Sequence, residues 1–354
     1  MKKLSFYVIL AFISYVLIEV CIRLFVWVHP VPMLFENNYN RFRGSPNAMI
    51  FGYPLNSHGF KDEEFEPKEN GVFRIVGIGD SFTFGVTPYP ENFLTIAENE
   101  LNKRISNPKI QIYNMGIPSI GPREEVALLA DEGLSWQPDL VMINFFVGND
   151  FQESIRSTRR KFVEKYSYTA NILYLAYKMI TNTSRDLRQQ YKDGWTTYCD
   201  TCRVFSKEGY LELEADRSYI FHKGNDLFER QLSDVIVYIE RARKMCQAKK
   251  CQLFVCIFPD EMQVSAELRE EVIQRLKQRG ETPEWDNSLP NRRLAEELTK
   301  LNIPHADLLP VFENEKDSIC YLPHDTHWNI RGNRLAGNFI ADQLEAYIGK
   351  ISVN

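Results

Sequence analysis

The sequence predicts an α/β protein built on a parallel sheet covered on both faces, and three observations predict it. Short apolar runs rich in β-branched residues alternate with stretches of helical spacing. The first such run in the body of the chain ends in a glycine-rich turn, Gly77-Ile78-Gly79-Asp80-Ser81-Phe82-Thr83-Phe84-Gly85. One long apolar stretch, Leu4 to Val28, precedes all of this. Alternating strands and helices imply parallel pairing, because each connection must travel back along a face of the sheet before the next strand begins.

Taken in order, Leu4 to Val28 is interrupted only by Glu19 and Arg23, which stand four apart and can pair on a helix. The stretch is long enough to cross a hydrocarbon core of ~30 Å. It ends in Glu-Val-Cys-Ile-Arg-Leu-Phe-Val-Trp, without the small residues of a cleavage site, so residues 1–30 are expected to be a retained anchor and not a cleaved signal peptide. Lys2 and Lys3 on its short side place the amino terminus in the cytoplasm and the rest of the chain on the periplasmic, extracytoplasmic side, although Arg41 and Arg43 weaken the asymmetry. Residues 31–70 carry turn signals such as Asn56-Ser57-His58-Gly59 and the acidic Asp62-Glu63-Glu64, and read as a linker and an arm lying on the main domain.

Residues 71–354 form that domain. Strands are expected at Phe73 to Ile78, Gln111 to Tyr113, Leu140 to Val147, Leu253 to Phe258 and, short, within Ile303 to Leu309; helices are expected at Phe93 to Arg104, Arg123 to Leu134, Leu227 to Lys249 and Ile330 to Ile348. The segment 151–223 breaks the rhythm. An insertion after a strand's carboxyl end would sit over the crevice where open α/β sheets bind ligands, so it reads either as a lid or as a surface decoration.

Composition narrows the function classes. A net charge of −5 argues against a nucleic-acid partner, because a phosphate backbone demands a basic face. The basic group Arg156, Arg159, Arg160 and Lys161 reads as a solvated helix face. In an oxidising compartment Cys199/Cys202 and Cys246/Cys251 could close disulfides; a zinc site from the same four is the rival, but no histidine lies close in sequence to either pair.

The glycine-rich turn could cradle a phosphate or present a nucleophile. A dinucleotide fingerprint needs a third glycine where Phe82 stands, and no Gly-Lys-Ser or Gly-Lys-Thr follows for a phosphate loop. Ser81, at the carboxyl end of the first strand, is placed as a nucleophile on a sharp strand-to-helix turn. It then needs a base with an orienting carboxylate. Of the six histidines, His29 borders the membrane, His58 is in the arm, His222 in the insertion and His305 beside the last strand. His324 and His327 remain, in Pro-His-Asp-Thr-His-Trp-Asn. Alternate side chains of an extended loop point the same way, which pairs Asp325 with His327 and turns His324 aside. Gly116 and Asn149, each after a strand beside the first, are candidate donors to an oxyanion: a backbone N–H with no side chain in its way, and a neutral side-chain amide.

Ser81 in Gly-Asp-Ser-Phe, Gly116 in Asn-Met-Gly, Asn149 in Gly-Asn-Asp and His327 in Asp-Thr-His-Trp-Asn stand in the order of the SGNH hydrolases, the GDSL esterases and lipases, which this chain resembles over about residues 72 to 150 and 225 to 350. The resemblance implies a three-layer α/β/α flavodoxin-like fold with a five-stranded parallel sheet. It implies a triad of Ser81, Asp325 and His327, an oxyanion hole from the Ser81 N–H, the Gly116 N–H and the Asn149 side chain, and no metal or organic cofactor. The commonest family pattern is Asp-x-x-His, whereas here Asp325 is two before His327 and His324 holds the usual acid position; Asp-x-His variants occur among polysaccharide O-acetylation proteins with a following tryptophan, here Trp328. The expected activity is that of a serine esterase working through an acyl-serine on O-acylated polysaccharide or lipid at the cell envelope. The alternatives are an O-acetyltransferase with the same triad and a non-catalytic envelope scaffold.

Overall fold

The computed structural model describes residues 2–28, 44–154, 167–170, 172–173, 197–315 and 319–352. The basic group at 156–161, His29, Arg41, Arg43 and much of the insertion at 151–223 lie outside the described residues. Helix α1, Lys2–Val28, includes a 23-residue span, Lys3–Phe25, with a mean hydropathy of 2.3 and none of it buried against the rest of the chain.

A two-strand hairpin, β1 (Met49–Ile50) and β2 (Tyr53–Pro54), opens the arm. The main sheet follows: β3 (Val72–Gly79), β4 (Lys109–Gly116), β5 (Leu140–Phe146), β6 (Gln252–Phe258) and β7 (His305–Asp307). All are parallel, in the order β4-β3-β5-β6-β7, which is the flavodoxin-like winding. Strand alternation splits the core into two layers. From β3, Val76 and Ile78 face one side and Ile75 the other; from β5, Val141, Ile143 and Phe145 join the former, and Leu140, Met142 and Phe146 the latter.

Each layer is closed by helices whose apolar residues recur at three and four. The first carries α4 (Pro122–Asp131) and α7 (Asp226–Lys249); the second carries α3 (Phe93–Arg104) packed on α12 (Ile330–Ser352). Among the described residues, three helices longer than two turns are not marked by sequence periodicity: α6 (Lys207–Arg217), α9 (Ala266–Gln278) and α10 (Leu289–Lys300). In α9 only Leu268, Val272 and Leu276 are buried, a stripe one residue wide among charged neighbours, which is why the pattern was faint.

Strand β4 is an edge, and its outward N–H groups are all claimed by side chains. Ile110 donates to Asn102 Oδ1 (2.9 Å), Ile112 to Glu98 Oε2 (2.5 Å), Asn114 to Asp62 Oδ2 (2.7 Å) and Gly116 to Asn114 Oδ1 (2.9 Å). This blunts an edge that would otherwise template further pairing. The arm supplies Asp62 and also lays Phe65 flat on Tyr113, with ring centroids 4.1 Å apart.

Of the two cysteine pairs, Cys199–Cys202 is a disulfide and Cys246/Cys251 is not. The expectation for the second pair is corrected by the turn between them. Lys250 takes a left-handed conformation (φ 60°) to end α7, the Cys251 N–H donates to the Cys246 carbonyl at 3.0 Å, and the Cys251 thiol is turned to that same carbonyl.

Candidate active site

The site assembles at the carboxyl ends of β3 and β5. After β3, Asp80 caps the short helix α2 (Ser81–Phe84) by accepting from the Phe82 N–H at 2.9 Å, which makes Ser81 the first helical residue. Gly79 lets this turn fold back: a Cβ there would lie 2.1 Å from Thr83 Oγ1 and 2.8 Å from the Asn144 carbonyl. Gly85 ends α2, and the buried Lys61 ammonium from the arm donates to its carbonyl (2.6 Å) and to that of Thr87.

His327 comes from a tight loop before α12. Leu322 donates to the His327 carbonyl (2.9 Å), Asn329 to the Cys320 carbonyl (3.0 Å), and Tyr321 bridges Trp328. Trp328 is buried among Phe82, Phe93, Phe258 and Phe312, its ring centroid 4.6 to 5.9 Å from theirs. The neighbouring His327 is held against the same short helix, its ring centroid 5.0 Å from that of Phe82.

The structure brings Ser81, His327 and Asp325 together. His327 Nδ1 lies 2.6 Å from Asp325 Oδ1, which also accepts the His327 backbone N–H at 3.1 Å. A carboxylate at Nδ1 requires the proton there, so Nε2 is the acceptor for the Ser81 hydroxyl, 2.8 Å away. Burial alone would lower the His327 pKa, but the charges of Asp325 and Asp80 outweigh it and raise it above the ordinary histidine value. His324 is turned elsewhere: at φ 52° its ring stacks on Tyr210, and its Nδ1 lies 3.2 Å from the Phe205 carbonyl.

The expected oxyanion donors do not behave alike. Ser81 N–H starts α2, where no helical acceptor precedes it. The Asn149 amide sits beside Ser81 through Asp80, donating to Asp80 Oδ2 at 2.9 Å. Gly116 is corrected: its N–H donates to Asn114 Oδ1 on the outer side of the edge strand, while the next residue, Ile117, donates inward to the Gly79 carbonyl at 3.0 Å. Strand parity sends successive N–H groups to opposite sides, so Gly116 points away from β3. The glycine is needed for another reason, since a Cβ would meet the Phe84 nitrogen at 2.1 Å.

Three residues that the sequence reading did not single out shape the site. Asp80, fully buried and with its pKa raised by burial, joins the cap of α2, Asn149 and Ser81. Asn114 ties β4 to α2 through Nδ2 to the Thr83 carbonyl at 2.9 Å. Arg217, buried at the end of α6 between Glu214 and Asp260 (3.7 Å to each), places a positive charge near Asp325 and His327. Asp80 and Asn114 stand inside the quoted motifs, so their place next to Ser81 and Gly116 was the available signal. Arg217 lies in the insertion and carried none.

Behind Asp80, Glu125 and Asp150 are buried, and burial, followed by the charge of Asp80, pushes both pKa values well up. Among the described residues no group of three or more His, Cys, Asp or Glu side chains is arranged to hold a metal ion.

Comparison with known proteins adds the following. Residues 219–352 match the family model described as the SGNH hydrolase-like domain, acetyltransferase AlgX. Solved structures of similar shape include a putative lipolytic protein of the G-D-S-L family from Desulfitobacterium hafniense (12% identity, 76% of this chain and 98% of that one, TM-score 0.38). They also include the acetyl xylan esterase AlAXEase (14% identity, 78% and 100%, TM-score 0.39) and a catalytic mutant of Axe2, an acetylxylan esterase from Geobacillus stearothermophilus (10% identity, 77% and 93%, TM-score 0.40). No curated protein matches the chain.

Proposed function

We propose that this chain, whose residues 219–352 match an SGNH hydrolase-like domain, is a member of the SGNH hydrolase family and a serine acyl-transfer enzyme of the esterase type. The observation that carries the reading is the unbroken chain from Asp325 through His327 to Ser81, with contacts of 2.6 and 2.8 Å. In this reading His327 Nε2 takes the Ser81 proton as Oγ attacks the ester carbonyl. Asp325 holds the tautomer and stabilises the imidazolium that forms. The tetrahedral oxygen is held by the Ser81 N–H and by the Asn149 amide, whose second N–H is left for it while the first is kept by Asp80. His327 then protonates the leaving alcohol, and water, activated the same way, releases the acid from the acyl-serine.

A second reading has support of its own. The match over residues 219–352 is to a domain described as an acetyltransferase, and the same acyl-serine would transfer its acyl group to a sugar hydroxyl wherever the acceptor excludes water. O-acylated polysaccharide at the cell envelope is the substrate class we propose, with acylated lipid as the rival and a silent scaffold as the non-catalytic one. The apolar α1 with Lys2 and Lys3 at its start and the Cys199–Cys202 disulfide support an anchored domain on the extracytoplasmic side.

The test is fluorophosphonate labelling of the full chain with the adduct located by mass spectrometry. An adduct on Ser81 that is lost in both Ser81→Ala and His327→Ala is the expected result. Absence of any adduct on folded protein sinks the enzymatic reading. Release of acetate from acetylated xylan with and without a sugar acceptor then separates hydrolase from transferase.

A further inference from the structure

Glu19 is a carboxylate inside the apolar α1 helix, and its oxygens are occupied by residues from the insertion. Oε2 accepts from the hydroxyl of Ser167 (2.9 Å) and from the N–H and hydroxyl of Thr169 (2.9 and 2.7 Å), while Oε1 accepts from the Tyr168 N–H (2.9 Å). Its neighbours on the same helical face join in. Arg23 pairs with Glu19 Oε1 at 3.0 Å and lies 4.6 Å over the Tyr168 ring, and Tyr15 donates to Ser167 Oγ. Tyr15, Glu19 and Arg23 recur every four residues, which stacks them along one side of α1.

The arrangement is a helix cap supplied from another element. Residues 168–170 are helical, and the first turn of any helix leaves N–H groups without acceptors and a partial positive charge. A carboxylate from α1 meets both needs. The reverse need is met too, since an ionisable group within a spanning helix is retained when it is paired.

The depth of this contact is set by helix geometry. At 1.5 Å per residue, Glu19 lies about 9 Å before the Phe25 end of the span, in the half of it that is nearer the catalytic domain. Just beyond the cap, Ile172 and Leu173 present side chains that are 38% and 65% exposed.

We propose that Glu19 latches residues 167–170 onto α1, so that Ile172 and Leu173 enter the interfacial layer of the same bilayer and give the catalytic domain a second lipid contact. The occupant is the phospholipid surface because the patch is continuous with α1, no residue of whose apolar window is buried by the described residues. The proposal rests on α1 spanning the membrane and is independent of the chemistry at Ser81. On this view the anchor is not a passive tether: it fixes how residues 167–170 lie on the membrane.

The test uses the full chain in nanodiscs of phosphatidylethanolamine and phosphatidylglycerol. Amide exchange of Tyr168 and Thr169 should quicken by about tenfold or more in Glu19→Ala, with β3 and β5 equally protected in both proteins to show an intact fold. Glu19→Gln, which keeps one acceptor oxygen, should fall between. In Leu173→Trp, the emission added over wild type should be quenched about twofold by lipids brominated on their acyl chains, and Glu19→Ala on that background should abolish the quenching. Equal exchange with and without Glu19, or added emission quenched by aqueous iodide alone, overturns the latch. A chain that fails to stay with the lipid overturns the span and the latch with it, whatever the labelling of Ser81.

Discussion

Asn149 Nδ2 donates to the buried carboxylate of Asp80 at 2.9 Å, so the residue before the nucleophile holds the side chain expected to meet the oxyanion. Asp80 therefore does two things at once, capping α2 and orienting Asn149. The two roles separate by substitution. Asp80→Ala should lose about 1 kcal/mol of stability with the cap and lower kcat by about tenfold or more. Asp80→Asn keeps an acceptor for the Phe82 N–H but sets an amide against an amide, so stability should hold better than activity. Thermal melts beside steady-state rates on an acetyl ester decide it; equal loss of both in Asp80→Asn would reject the orienting role.

Asp325 and His324 are tested against each other. Asp325→Asn should lower kcat by roughly 10⁴, because the tautomer is no longer held, whereas His324→Ala, whose ring faces Tyr210 and Phe205, should keep activity within about threefold. The pH profile gives an independent reading. His327 acts as a base only when neutral, and Asp325 and Asp80 raise its pKa against the lowering effect of burial. The acid limb of kcat/KM should thus lie above the ordinary histidine value of about 6.5 and move down in Asp325→Asn.

Gly116→Ala discriminates packing from catalysis. The new Cβ would sit 2.1 Å from the Phe84 nitrogen and 2.5 Å from the Thr83 carbonyl carbon, both backbone atoms that cannot give way without moving α2. A loss of roughly 2–3 kcal/mol in chemical denaturation is expected. A variant of full stability would reject the packing role.

The arm is expected to matter although it holds no reacting group. Lys61 is buried and reaches the Gly85 and Thr87 carbonyls, and burial pushes its pKa down to about 7. Lys61→Met fills the same space but leaves two carbonyls without a donor. Stability should fall by about 1–3 kcal/mol, and activity should fall with it because Gly85 closes the helix that Ser81 opens. Unchanged melting would mean that the arm does not brace α2.

Glu98 should make stability depend on pH. Its Oε2 accepts the Ile112 N–H on the edge strand, and burial raises its pKa to about 7, well above the value of 4.5 it has in the unfolded chain. A raised folded pKa means that the stabilisation is complete below the unfolded value and is lost as pH rises through about 7. The shift corresponds to an effect on the order of 3 kcal/mol. Melting temperature should fall between pH 5 and pH 8, and Glu98→Gln, which keeps the acceptor without the charge, should flatten that fall; an identical slope in both proteins would remove Glu98 as its source.

The strands and long helices were legible in the sequence because their signals are local. Phe73 to Ile78 and Leu140 to Val147 read as buried strands from their own side chains, and α7 and α12 from spacing along one face. Ser81 could be singled out because a glycine-rich turn after a strand has few uses, and His327 because only six histidines compete for the role. A glycine's N–H, by contrast, points wherever its strand's neighbours dictate. That β4 is an edge, with β3 on one side of it and the arm on the other, is a fact of sheet order, and it alone turns Gly116 away from Ser81.

The sequence by itself determined the alternation that builds the sheet, the apolar length of α1 and the residue types from which a nucleophile, a base and a carboxylate could be drawn, since each depends on periodicity or composition within a short window. Only the tertiary structure decided that these three meet, that Asp80 holds Asn149, that Cys246 and Cys251 stay unbonded thiols and that Glu19 meets Thr169, 150 residues away. Such pairings depend on which elements become neighbours when the chain packs. No local pattern carries that information.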